Sequence, residues 1–204
     1  MSSRDERRLQ LAERLRIAVE ALLDEDESYA SISIERLMAE AGLSRSTFYA
    51  YFTDKGDLLR AWSVRASETT RVASGRWWAL GTDLTREALE DALRHVMREY
   101  RPHARVMASV YDAAVYDDDL REEVAAMMRE HVGSLEAHIR RGQEGGWVAP
   151  DLLPHETAAW LIWMAERVEH QVVAHSDDAA LERLVVGFAD VVWNTLYALA
   201  PAAR

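Results

Sequence analysis

Apolar residues recur at three- and four-residue steps along almost the whole chain, and that periodicity restricts it to a helical fold. Leu11, Leu15, Ala18, Val19 and Leu22 mark one face of a helix over about residues 4 to 25. Ser33, a residue type that caps helix starts, precedes Ile34, Leu37, Met38 and Ala41, and Gly42 ends that short segment. Ser44 caps a second short helix to about Tyr51, with Phe48 and Phe52 turned inward. Asp54 then opens a longer one carrying Leu58, Leu59, Trp62 and Val64, ending near Gly75. The stretch with Trp77, Trp78 and Gly81 reads as irregular, after which Asp83 caps a helix to Tyr100 and Pro102 starts another. Asp117 to Asp119 begin a long helix that runs to about Arg141, and Gly142, Gly145, Gly146, Pro150 and Pro154 form the clearest loop. Two apolar helices, about 155–175 and 178–199, close the chain as an expected antiparallel pair. With no strand alternation, repeat or low-complexity tract, the expectation is an all-α fold of about nine helices.

The two short helices flanking Gly42 are joined by about three residues, and Leu37, Leu43 and Phe48 are spaced to pack them at a steep angle. That is a helix-turn-helix, whose second helix enters the DNA major groove with its N-terminal residues toward the bases. Here those residues are Ser44, Arg45, Ser46 and Thr47: arginine pairs bidentately with guanine, and hydroxyls serve bases or phosphates. Ser33 is placed to touch a phosphate as well.

The stretch ISIERLMAEAGLSRSTFYAYFTDKGDLL, from Ile32 to Leu59, resembles the DNA-binding signature of the TetR family of bacterial regulators. The matching elements are Ala41-Gly42-Leu43-Ser44, Thr47-Phe48-Tyr49, Tyr51-Phe52 and Lys55. The resemblance implies that Arg45, Ser46, Thr47 and Tyr49 face DNA, with Tyr51 and Lys55 near its backbone. Met38 departs from it, standing where a small residue is usual. A helix-turn-helix domain over residues 1–54 and a larger helical effector-binding and dimerisation domain over 55–204 are expected.

Charge argues against this reading before it argues for it. The net charge is -11, whereas cationic side chains supply most non-specific affinity for nucleic acid. Arg4, Arg7, Arg8, Arg14 and Arg16 nevertheless offer a locally basic face, against an acidic cluster at 24–27, and Lys55 is the only lysine. It lies in the first turn of a helix, where free amide groups already attract phosphate.

The later part of the chain carries six of the seven tryptophans. Trp77, Trp78, Met97, Tyr100, Met107, Tyr111, Met128, Trp147, Trp160, Trp163, Met164 and Trp193 concentrate aromatic and adaptable surface of the kind that lines apolar ligand cavities, although each alone also suits a core. WLIWMAERVEH from Trp160 and VVWNTLY from Val191 are similar to the ethionamide-resistance regulator subgroup, which implies an elongated hydrophobic effector. Ile162 and Ala165 stand where that subgroup has pocket asparagines, leaving Trp193 and Asn194 as candidates. Glu166 and Arg167, inside an apolar helix, are read either as a satisfied internal ion pair or as ligand-orienting groups. Val168, Val172, Leu184, Phe188 and Val192 put apolar surface on a second side of the last two helices, as a twofold four-helix dimer interface needs. The partners expected are therefore double-stranded DNA with a palindromic operator, a hydrophobic small molecule and a second copy.

Other classes find little support. Without cysteine there is no thiol nucleophile, thiolate metal site or disulfide, and no phosphate-binding glycine loop or GxSxG elbow occurs. Glu166 with His170, and His131 with His138, could in principle share a helix face and bind a metal, yet no HExxH or repeated Glu-x-x-His accompanies them. No cofactor and no enzymatic activity is expected. With no apolar signal segment and no run of about eighteen apolar residues, the chain is expected in the cytoplasm and not in a membrane. The rivals are a DNA-binding dimer whose rear domain senses nothing and, more remotely, an all-α metal-dependent enzyme.

Overall fold

The computed structural model describes residues 3–23 and 28–199, which form nine α-helices: α1 (Ser3–Leu23), α2 (Ile34–Glu40), α3 (Arg45–Tyr49), α4 (Lys55–Trp78), α5 (Arg86–Tyr100), α6 (Ala104–Ala114), α7 (Asp118–Gly145), α8 (Pro154–Gln171) and α9 (Asp178–Val192). No strand occurs among the described residues, and no helix there is long and apolar enough to cross a membrane. The chain divides into two compact units, residues 1–66 with 105–124 and residues 67–104 with 125–204. α4 and α7 each begin in the first unit and end in the second.

In the first unit, α2 ends on Gly42, whose φ of 63° is open to glycine at little cost. Gly42 N–H donates to Ala39 O and Leu43 N–H to Met38 O, the paired bonds of a Schellman stop. Ser33 and Ser44 cap α2 and α3 by accepting from Arg36 N–H and Thr47 N–H. Leu15, Ile32, Leu37, Met38, Phe48, Phe52 and Leu58 are fully buried, so the large side chain at Met38 is accommodated inside this core.

Several boundaries differ from the expected ones, those of α4 and α7 through tertiary packing and that of α5 through a local cap. α4 does not stop at Gly75 but continues to Trp78, because Trp77 and Trp78 stack on each other and Trp77 joins the second unit's core. Burying such rings outweighs the roughly 1 kcal/mol that a helical glycine costs. The cap of α5 is Thr85, not Asp83, since Thr85 Oγ1 accepts from Ala88 N–H. α7 runs past Gly142 to Gly145: a side chain at 142 would collide with Val148 and Trp147, and both their amides donate to Gly142 O. α8 ends at Gln171 with a 3-10 turn at Val173–His175. α9 becomes a π-turn over Trp193–Tyr197, which leaves Leu196 O to accept from Ala149 N–H.

The second unit's core collects Leu89, Leu93, Leu135, Ile139, Leu161 and Val192, closed by an aromatic group. Trp77 Nε1–H donates to Tyr197 Oη at 2.9 Å, and Tyr197 Oη lies 2.9 Å from His138 Nε2. The imidazole is 0% exposed, with ring centroids of Trp147 at 5.0 Å and Trp78 at 5.4 Å.

Burial, with a smaller push from Arg141, lowers the His138 pKa from 6.5 to about 4. Because the folded value is depressed, this residue's contribution is present above pH 6.5 and is lost as pH falls toward 4. The expected outcome is a loss on the order of 3 kcal/mol of second-unit stability across that window, read by calorimetry as a falling Tm. His138→Phe should flatten the same stretch of the curve, and an unchanged acid slope in that variant would rule the imidazole out.

Candidate functional site

α3 is one and a half turns long, so its caps and its two sides decide what it presents. Ser44 Oγ accepts from Thr47 N–H and lies 2.8 Å from both Ser46 Oγ and Thr47 Oγ1, tying the first turn together. Phe48 points inward beside Phe52, at 5.5 Å between centroids, while Ser44, Arg45, Ser46 and Tyr49 are exposed and Thr47 half-buried. The Arg45 guanidinium stands over the Tyr49 ring at 5.7 Å and pairs with Glu35 of α2 at 2.5 Å. The exposed side of the motif thus carries an oriented arginine, hydroxyls and an aromatic ring, with Ser33 exposed at the N-cap of α2. Glu35 escaped sequence reasoning because its partner lies across the turn, where helical spacing gives no signal.

The basic face read from the start of the chain is largely spent internally. Arg14 Nε donates to Ala41 O at 3.0 Å and Arg8 Nε to Tyr51 O at 3.3 Å, at the ends of α2 and α3. Arg4 reaches Ala50 O, and Arg8 also pairs with Asp57 at 2.6 Å and stands over the Phe52 ring. Arg16 is buried between Glu13 and Glu20. These arginines neutralise helix C-terminal carbonyls and brace the motif.

Lys55 is engaged within the fold in the same way. Its ammonium donates to Tyr29 O at 2.5 Å, Ala30 O at 3.1 Å and Ile32 O at 2.7 Å, and sits 4.5 Å from the Tyr29 ring centroid. All three donors are used within the chain. Burial also draws its pKa below the ordinary lysine value. Tyr29 Oη–H returns a bond to Lys55 O, and Tyr51 is half-buried with its carbonyl taken by Arg8.

The residues expected around an effector fall into three groups. Trp77, Trp78 and Trp193 belong to the second unit's core or pack against it, and Met97 joins Val173, Leu181 and Val185 in a smaller cluster there. Tyr100 and Met128 are buried in the second unit, whereas Met107 is buried and Tyr111 half-buried in the first. Trp160, Trp163 and Met164 are corrected: they are 80%, 50% and 38% exposed on α8, because Ala158, Leu161 and His170 occupy its inner side. Asn194 is exposed with its amide donating to Asp190 O, so it is not an inward anchor. Glu166 pairs with His170 at 2.8 Å, while Arg167 is exposed with one N–H toward His170 Nε2. No group of three metal-ligating residues occurs among the described residues. A cleft of about 200 Å³ bounded by Arg98, Arg101, Asp178, Leu181 and Glu182 contains none of the expected effector residues, and its arginines pair with its acids.

Of the expected dimer residues, Val172 is exposed and Val168, Leu184 and Phe188 are half-buried. Val192 is corrected, being wholly buried in the chain's own core.

Residues 23–62 match the family model described as bacterial regulatory proteins, tetR family. The chain is 26% identical to the HTH-type transcriptional regulator EthR of Mycolicibacterium smegmatis, over 91% of this chain and 86% of that protein. It is 33% identical to an uncharacterised HTH-type transcriptional regulator of Mycobacterium tuberculosis, a match that covers 38% of this chain and spans only 35% of that relative's length. A TetR-family transcriptional regulator from Mesorhizobium loti shares the fold with a TM-score of 0.70 at 15% identity, over 97% of this chain and all of that one.

The two roles open to Lys55 separate in one variant. Lys55→Met should cost about 2 kcal/mol by leaving three carbonyls short of a donor, and should speed amide exchange at residues 28–34. A phosphate ligand would behave otherwise, reducing the salt dependence of DNA binding by about one charge with the melting temperature unchanged.

Proposed function

We propose that this chain, which belongs to the TetR family of bacterial transcription regulators, is a homodimeric repressor that leaves a palindromic operator when a hydrophobic small molecule binds its second unit. Its relatives and fold neighbours are regulators, not enzymes. The observation carrying the reading is α3: a short, doubly braced helix with Phe48 buried and Arg45, Ser46 and Tyr49 turned outward. Arg45 would read guanine while Ser33, Ser44 and the hydroxyls hold phosphates, and Glu35 would release the guanidinium as DNA arrives.

Dimerisation supplies the second recognition helix, about one DNA turn away. What supports it is the exposed apolar stripe of Trp160, Trp163 and Met164 on α8, together with Val172 and with Val186 and Val191 of α9. A stripe of that size costs free energy in water and needs a partner surface. The effector reading is supported by the rings gathered round His138 and by α4, whose first turn holds the helix-turn-helix through Lys55 and whose last turn supplies Trp77 and Trp78. A ligand that favours one setting of α4 and DNA that favours another would weaken each other reciprocally. The site of action is the cytoplasm, where the operator lies.

A selected duplex tests the recognition half: Arg45→Ala should weaken it roughly tenfold to a hundredfold in gel shift while the dimer sediments unchanged. Equal binding by the variant removes Arg45 from base reading. Glu35→Gln should tighten binding to unrelated duplex several-fold at low salt, since a carboxylate facing phosphate is gone. For the dimer, Trp160→Glu combined with Trp163→Glu should sediment as a monomer, and a persistent dimer would place the interface elsewhere.

A further inference from the structure

Glu35 puts a carboxylate on the side of the motif that is to meet a polyanion, and it is aimed at the same point as Arg45. It lies in the first turn of α2, and its Oε1 meets Nη1 of Arg45, the first residue of α3, at 2.5 Å. The side chains are 60% exposed for Arg45 and 55% for Glu35, so the contact belongs to the presented surface and not to the core. The ring of Tyr49, one turn further along α3, stands 5.7 Å from the guanidinium. Arg45 is thus seated between a carboxylate and a ring with donors to spare, because one oxygen and a π face do not use up the five N–H groups of its fork. Folding gives little reason for the pair. Exposed ion pairs contribute little stability, and an acid in a first turn already faces the positive end of its own helix.

The pair has a consequence once Arg45 turns to guanine. Its parallel N–H groups go to O6 and N7, and Glu35 loses its cation while still held beside the base edges. Neighbouring pairs are stacked about 3.4 Å apart, a step comparable to the separation of the two side chains, so the carboxylate comes to the pair next to the guanine. An ionised carboxylate only accepts, and the donors of the major groove are the amino groups of cytosine and adenine. Adenine N6 has the acceptor N7 beside it, which opposes the second carboxylate oxygen, whereas cytosine N4 is flanked by C–H. Thymine O4 and the acceptors of guanine repel the group outright.

We propose that Glu35 is a specificity-determining residue that reads cytosine: its carboxylate accepts from the N4 amino group in the base pair adjacent to the guanine taken by Arg45. The inference rests on the placement of α3 in the major groove proposed above. It gives the negative charge a purpose, since the carboxylate weakens binding to every duplex and is compensated only where that cytosine stands.

Selection from a randomised duplex pool tests it, using the full-length protein, Glu35→Gln and Glu35→Ala, with melting temperatures recorded for all three. The natural chain should enrich guanine with cytosine on the neighbouring pair. Glutamine pairs bidentately with adenine, so Glu35→Gln should exchange that cytosine for adenine and keep the guanine. Glu35→Ala should keep the guanine and accept any neighbour. On one selected duplex, changing the C·G pair to T·A should weaken the natural chain about tenfold and Glu35→Ala by less than about twofold. A residue that merely braces Arg45 would instead blur the guanine position and leave its neighbour alone. Should Glu35→Ala not fold, the exchange of cytosine for adenine by Glu35→Gln decides the matter by itself. An unchanged neighbour in both variants, or relaxation confined to the guanine, overturns the assignment and leaves the α3 reading standing. If Arg45→Ala keeps the guanine preference, or the natural chain selects no sequence, the α3 reading falls and the inference with it.

Discussion

A single ammonium group ties the start of the helix-turn-helix to the helix that follows it. Lys55 gathers the carbonyls of Tyr29, Ala30 and Ile32, of which only Tyr29 O also accepts from the turn's own backbone, from Ile32 N–H. Because Lys55 opens α4, those bonds fasten the start of the helix-turn-helix to the first turn of a helix 24 residues long. Tyr29 completes the clamp by packing edge-on to Trp62, which is bonded to Ala12 O of α1. An arginine would not serve: its planar fork cannot direct three N–H groups to three oxygens around a point.

That arrangement changes how the acidity of the chain is to be understood. A net charge of -11 with most early arginines consumed by carbonyls and carboxylates leaves little diffuse positive field around the recognition helix. On the reading proposed above, non-specific affinity is expected to be weak and binding to come from a few oriented contacts on α3. Pairing Arg45 with Glu35 works in the same direction, because a base that offers two acceptors replaces the carboxylate better than a phosphate approached at random. In this reading, specificity is obtained by withholding charge.

The helices and the motif were legible in the sequence because their signals are local. Ser33, Ser44 and Asp54 cap where hydroxyl or carboxylate side chains precede an apolar step, and Gly42 turns where only a residue without Cβ turns freely. What was illegible depends on distance. Gly75 and Gly142 read as stops, yet the helices pass through them because rings and a folded-back strand of chain pack against the residues beyond. On α8 hydropathy pointed the wrong way: Trp160 and Trp163 face out while His170 is buried, paired with Glu166. A helix apolar on more than one side gives no contrast from which to choose its inner face, so the polar pair that marks the inside could be recognised only once its partners were known.

Tryptophan therefore serves three ends in one chain, and composition cannot tell them apart. Trp62 anchors α1 through its indole N–H, Trp160 and Trp163 lie exposed on α8, and Trp77 holds a hydroxyl that in turn orients an imidazole. Only the last arrangement leaves a buried polar atom without a hydrogen-bond partner among the described residues, His138 Nδ1. The same α4 carries Lys55 at one end and Trp77 and Trp78 at the other, so the helix that fixes the recognition motif is also the one that ends beside the buried imidazole.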